Sequence, residues 1–140
     1  NKAVESLSSN ENGFFLMVEG SQIDWGGHAN ETPYVVREVK DFDDAIGVVL
    51  TFAQENPGTL VIITADHETG GMTINGVNRE NTVVDIAWTS TGHTGTPIPL
   101  MAYGSHAVEF SGWWDNTDIG KKVADLLGFE NFPLIISADN

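Results

Sequence analysis

Residues 13 to 28 read Gly-Phe-Phe-Leu-Met-Val-Glu-Gly-Ser-Gln-Ile-Asp-Trp-Gly-Gly-His, and this stretch decides the fold. An apolar run, Phe14 to Val18, stops abruptly at the carboxylate of Glu19. A second carboxylate follows at Asp24 and an imidazole at His28, while Gly20, Gly26 and Gly27 let the backbone turn between them. The pattern is a strand that delivers ligands into a loop at its end. Two further stretches repeat it. The apolar run Thr59 to Ala65 ends on Asp66-His67, and the turn around His93 precedes the apolar stretch Pro97 to Tyr103. N- and O-donor side chains thus stand beside three apolar runs.

Working outward, residues 32 to 55 predict a helix. Thr32 is suited to cap it and Pro33 to occupy its first position. Val35, Val39, Phe42, Ile46, Val49 and Ala53 recur at spacings of three and four, which makes one apolar stripe. Asn56-Pro57-Gly58 stops it. Phe14 to Val18 and Leu60 to Thr64 are apolar on both faces, as in covered strands, and the helix between them makes a βαβ unit with parallel strands. Lys2 to Ser9 reads as the end of a helix and Asn10 to Gly13 as a turn. Gly70 to Asp85 reads as loop with short strands, and Ile98 to Tyr103 as a third strand. Asn116 is placed to cap a last helix with Ile119, Val123 and Leu126-Leu127 on its apolar face and Gly128 at its end. The tail from Phe129 to Asn140 carries no clear pattern.

The 140 residues suffice for one domain or part of one, and 41% apolar content is ordinary for a globular chain. No apolar run approaches a membrane span. With 6 basic against 20 acidic residues the net charge is −14, which argues against a nucleic-acid partner because little here would replace phosphate counterions. There is no cysteine, so a metal site must be built from His and carboxylate. The chain begins on Asn rather than Met, carries no recognisable signal peptide, and reads as a piece of something longer.

In a parallel sheet, sites gather at the carboxyl ends of strands, so Glu19 and Asp66-His67 are expected to be neighbours. Asp24 and His28 are four apart, close enough to aim at one ion. Imidazoles with carboxylates suit zinc, and a lone Glu among hydroxyls and water suits magnesium. Each residue also has an ordinary reading. His106 alone reads as a surface or core group, and an Asp after a strand commonly forms a turn or a cap. The adjacent pair Asp66-His67 is harder to set aside, because burying both without a partner is costly.

Three motifs carry a resemblance. Glu-Gly-x-x-Ile-Asp-x-x-x-His-Ala at 19 to 29 resembles the metal-ligand stretch of alkaline phosphatases. Thr-Ala-Asp-His-Glu-Thr-Gly-Gly at 64 to 71 is similar to that family's most specific signature, and Thr-Gly-His-Thr-Gly at 91 to 95 to the surroundings of its last ligand. The likeness reaches Leu127 and concerns the C-terminal part of the family's fold. It implies an α/β architecture, a three-layer α/β/α sandwich with a mostly parallel sheet, present as a partial domain over residues 1–140. It implies two zinc ions and one magnesium: Asp24, His28 and His93 on the first zinc, Asp66 and His67 on the second, and Glu19 on the magnesium. In that family the first zinc polarises the leaving-group oxygen and later activates water. The second lowers the pKa of a serine nucleophile, so that a phosphate monoester is hydrolysed through a phosphoserine.

The chain departs from the family in two ways. The Asp-Ser-Ala type motif that bears the nucleophile is absent, and Ser137-Ala138-Asp139 has the wrong order. The Asp that joins the second zinc, the Thr that joins the magnesium and the Arg that clamps phosphate are also missing. Arg37 and Arg79 sit in no matching motif. No catalytic residue is therefore assigned here; the chain supplies metal ligands and lacks the N-terminal, nucleophile-bearing portion, and alone it is expected to be inactive. Second, Trp25 follows Asp24, where some bacterial members have Lys and animal ones His. Trp25 brings apolar cover near the substrate and no positive charge. The segment from His67 to His93 is short, so a large lobe over the site is not expected. Rival expectations are another hydrolase of the superfamily, a sulfatase or phosphodiesterase, and a non-catalytic metal-binding or assembly module; Glu19 speaks against the first. Self-association or pairing with the missing portion, and a periplasmic or secreted location, follow from the same resemblance.

Overall fold

The apolar stripe at spacings of three and four produces the longest element. In the computed structural model, which describes residues 2–78, 80 and 83–133, short helix α1 (Lys2–Leu7) and helix α2 (Gln22–His28) precede α3 (Thr32–Glu55). Strand β1 (Leu60–Ile63) follows, then β2 (Glu68–Thr69), β3 (Thr73–Asn78), β4 (Val83–Ala87), β5 (His93–Thr94) and β6 (Met101–Gly104). A 3-10 turn (Ala107–Phe110) and α4 (Asn116–Leu126) close the order. The contacts divide the chain into two compact units, Asn1–Phe110 and Ser111–Asn140.

In the first unit α3 packs against α2, β1 and β6, and the 3-10 turn packs on β1 and β6. Of the stripe, Ala53 is buried and Val35, Phe42, Ile46 and Val49 are half-buried, whereas Val39 is exposed. Val4, Val61 and Phe110 are the other buried apolar residues of this unit. The helix begins one residue earlier than a Thr32 cap requires. Glu31 is the cap residue, Thr32 is helical, and the Thr32 hydroxyl accepts instead from Trp88 Nε1 at 3.2 Å. The Asn56 amide closes the other end by donating to the Phe52 carbonyl at 2.8 Å.

The strands depart from the expected pairing. Every ladder among the described residues is antiparallel: β1 with β6, β2 with β5, and β3 with β4. Residues 14–18 enter no ladder, and Phe15, Met17 and Val18 are exposed. Parallel pairing of this run with β1 is thus not among the ladders formed. Apolarity on both faces reports a covered environment but does not name the neighbouring strand, and β1 takes β6, with Leu60 opposite Gly104 and Ile63 opposite Met101. The third strand is shorter than expected, starting at Met101 rather than Ile98. The 70–85 region contributes a hairpin, β3–β4, with a register shift between Ile74 and Gly76.

In the second unit the cap of α4 is Asp115 rather than Asn116. Its carboxylate accepts from the Thr117 amide at 2.9 Å and the Thr117 hydroxyl at 2.8 Å. Gly128, at φ 76°, ends the helix, with the Phe129 amide returning to the Ala124 carbonyl at 3.0 Å. Ala124 is buried and Ile119, Val123 and Leu126 are half-buried, as their spacing dictates, while Leu127 is exposed. Arg79 and the Ser137-Ala138-Asp139 look-alike lie outside the described residues. No helix among the described residues is long and apolar enough to cross a membrane.

Candidate metal centre

Two glycines place α2. A Cβ on Gly26 would lie 2.8 Å from Val35 Cγ2 of α3, and one on Gly27 would lie 2.9 Å from the Thr69 carbonyl oxygen. The helix therefore sits between α3 and β2 at a distance no larger residue permits. Asp24 opens α2 and His28 closes it, so a spacing of four puts both on one face.

Asp24 Oδ1 is the focus of the site. The Thr69 hydroxyl donates to it at 2.5 Å. Nε2 of His28 lies 3.5 Å from the same oxygen, and Nε2 of His93 lies 3.7 Å from it. The rings of His28 and His93 are 5.1 Å apart, and His67 stacks on His93 with centroids 3.5 Å apart at 20°. Ligand atoms of Asp24, His67 and His93 all fall within 4.8 Å of one another.

The hydrogen-bond partners fix which nitrogens are free. His28 Nδ1 is 2.6 Å from the Thr91 carbonyl oxygen, which can only accept, so Nδ1 donates there and Nε2 is the nitrogen turned to Asp24. Thr69 spends its one proton on Asp24, so at 3.2 Å it accepts from His67 Nδ1, and His67 Nε2 is the nitrogen turned to Asp66, 3.2 Å from its Oδ2. Donors of this kind, N and O with the second ring nitrogen anchored, suit a borderline divalent metal. The residues present fit such an ion.

Among the sequence candidates, Asp24, His28, His67 and His93 come together. Asp66 joins through His67 but is largely exposed, with 79% of its side chain accessible. Glu19 is exposed and stands outside the cluster. Trp25 projects from α2 with 59% of its surface accessible. Arg37 is on α3, 3.2 Å from Glu38 and with its guanidinium over the Tyr34 ring. His106 pairs with Glu109 at 2.7 Å, away from the cluster, in keeping with its ordinary reading. Sequence reasoning assigned no role to Thr69, Thr91 or Glu68. The only available signal was alternation, which puts His67 and Thr69 on one face of a strand. A two-residue strand gives too short a period to read.

The alkaline phosphatase family model matches residues 1–84 and 75–129, two segments that overlap in the β3–β4 hairpin. Alkaline phosphatase 4 of Bacillus subtilis is 33% identical over 184 aligned positions, covering 83% of this chain and 40% of the relative. Because the alignment exceeds the chain's 140 residues, that relative carries insertions which this chain lacks. The solved alkaline phosphatase of the Antarctic bacterium TAB5 superposes with a TM-score of 0.83 at 44% identity, covering 91% of this chain and 39% of that one. A variant of the same enzyme, solved with Mg bound in its M3 site, superposes at 0.82 with 41% identity, covering 91% of this chain and 40% of that one. The chain thus spans about 40% of the length of each of these proteins. Its α/β fold is theirs over the aligned length, and a family match running from residue 1 to 129 of 140 means that the chain belongs to the alkaline phosphatase family.

Proposed function

We propose that the protein to which this chain belongs hydrolyses phosphate monoesters in the manner of an alkaline phosphatase, through a phosphoserine, with two zinc ions and one magnesium. Residues 1–140 are read as one partial domain that contributes the metal ligands, while the nucleophile-bearing portion completes the site. The observation that carries this is the convergence of Asp24, His67 and His93 from α2, the β1–β2 loop and β5. Bound metals supply Lewis-acid polarisation of phosphoryl oxygens and activation of the attacking group. This chain's residues hold and orient them: Asp24, His28 and His93 for the first zinc, Asp66 and His67 for the second, and Glu19 for magnesium. Trp25 lies beside Asp24 as apolar cover near the substrate. A periplasmic or secreted location is part of the same reading, and the exposed Phe15, Met17 and Val18 accord with pairing to the nucleophile-bearing portion or with self-association.

Zinc titration of the chain tests the assignment. Asp24, His28 and His93 form a complete three-ligand set, so one zinc should bind tightly and a second weakly, with magnesium undetectable. His28→Ala should then cost more affinity than His67→Ala. Tight binding that survives His28→Ala and vanishes with His67→Ala would show that the first ion sits instead on Asp24, His67 and His93.

A further inference from the structure

The carboxylate of Glu68 takes no part in the ligand cluster, yet it is half-buried and closely held. Its Oε1 accepts from the Gly71 amide at 2.8 Å and the Met72 amide at 3.3 Å. Its Oε2 accepts from the Gly71 amide at 3.1 Å and from the Thr94 hydroxyl through a short bond. One side chain thus ties β2 to the turn that follows it and to β5.

Register shows what this does for the site. Glu68 stands opposite Thr94, and Thr69 opposite His93. Side chains alternate along a strand, so Glu68 and Thr94 share one face. Thr69, His93 and, two residues before Thr69, His67 share the other. A ladder this short is marginal by itself. Beyond it, the Gly70 amide bonds the Gly92 carbonyl at 2.9 Å. The distance between the His67 and His93 rings is therefore set largely by a clamp on the reverse face.

We infer that Glu68 is a positioning residue for the metal centre: its carboxylate locks the strand carrying His93 to the strand following His67 and so fixes the spacing of the two imidazoles. The inference rests on the metal-binding reading above and goes beyond it, because Glu68 itself touches no ion. Ligands must be held to within about 0.5 Å for productive geometry, and loss of an outer partner typically costs about 10- to 100-fold in metal affinity.

The test uses Zn²⁺ titration, the visible absorption of bound Co²⁺, and amide exchange of the metal-free chain. Far-UV circular dichroism verifies folding. Glu68→Ala should weaken Zn²⁺ binding about 10- to 100-fold, alter the Co²⁺ spectrum and speed exchange at Gly71 and Met72. Glu68→Gln keeps an oxygen for both amides and an NH₂ group within reach of Thr94 Oγ1, so it should restore most of the affinity. A general loss of stability would not change the Co²⁺ spectrum of folded protein. If Glu68→Ala does not fold, Thr94→Val carries the test, since it removes the link from Glu68 to β5 and leaves the amide bonds of Glu68 in place, with Thr96→Val as control for the bonds the Thr94 hydroxyl makes to Thr96; Thr94→Val should weaken Zn²⁺ by several-fold and Thr96→Val should not. Wild-type affinity and an unchanged Co²⁺ spectrum in the folded variant would overturn the inference. Failure of the wild-type chain to bind Zn²⁺ or Co²⁺ would instead overturn the metal-binding reading beneath it.

Discussion

Replacing Gly70 with Ala and Gly47 with Ala should move stability in opposite directions, although the chemical change is identical. Gly70 has φ +90°, where an L side chain costs about 1–2 kcal/mol. A Cβ there would lie 2.6 Å from two ring carbons of Trp88 and 2.8 Å from the Gly27 carbonyl oxygen. Ordinary contact is about 3.5–4.0 Å, so one of these groups must retreat by roughly 1 Å. The indole is pinned by its bond to Thr32 Oγ1 at 3.2 Å, and the carbonyl belongs to α2, so neither retreats freely. Overpacking of this kind costs about 1–3 kcal/mol. The two terms give a loss of about 2–5 kcal/mol, a large part of the ~5–15 kcal/mol of a typical domain. Gly47 lies inside α3 with open space around its Cβ position. Ala there should stabilise by about 0.5–1 kcal/mol, because it only removes glycine's backbone freedom. Urea unfolding followed by circular dichroism gives both midpoints. Shifts of the same sign, or a Gly70→Ala loss below about 1 kcal/mol, would refute the steric reasoning about how α2 meets β2.

The 140-residue chain should show no hydrolysis of p-nitrophenyl phosphate above background, since its sequence has no Asp-Ser-Ala type motif and no arginine in a matching motif; steady turnover abolished by His93→Ala would contradict this. The exposed Phe15, Met17 and Val18, with Ile74, Val77 and Val83 of the hairpin, should make the isolated chain self-associate or bind a hydrophobic dye. A sedimentation profile of pure monomer with no dye binding would count against it. The Asp115 carboxyl is held below its usual range by the bonds it accepts from the Thr117 amide, then from its hydroxyl. Its folded pKa is depressed, so its contribution to α4 is present above the unfolded pKa and is lost as pH falls through the lower folded value. Helicity of α4 should therefore be flat near neutrality and fall at acid pH. In Asp115→Ala that acid step should disappear.

Much of this was legible because helices announce themselves by period. The stripe from Val35 to Ala53 and the breaker Asn56-Pro57-Gly58 gave α3 its bounds, and Gly128 gave α4 its end. Caps slipped by one residue for two different reasons: Asp115 outbids Asn116 through a local bond to Thr117, whereas Trp88, distant in sequence, takes the hydroxyl that Thr32 was expected to use as a cap. Strand partners were not legible. The run 14–18 and β1 are both apolar, and nothing in either says that β1 will take Met101 to Gly104 from much further along. The ligands themselves were readable as residue types beside apolar runs. Their orienting groups were not, because the Thr91 carbonyl and the Thr69 hydroxyl act through tertiary contact.

The arrangement of donors ties an ion to the fold. Asp24, His67 and His93 belong to α2, the β1–β2 loop and β5, segments far apart in sequence. A divalent ion held by them would cross-link the three segments at once. Because the unfolded chain offers no such constellation, binding adds to stability by mass action, about 2.7 kcal/mol at one hundred times the dissociation constant. Among the described residues of the first unit, the buried hydrophobic side chains are Val4, Ala53, Val61 and Phe110. Against a core that small, an ion held by Asp24, His67 and His93 would be a structural element of the chain.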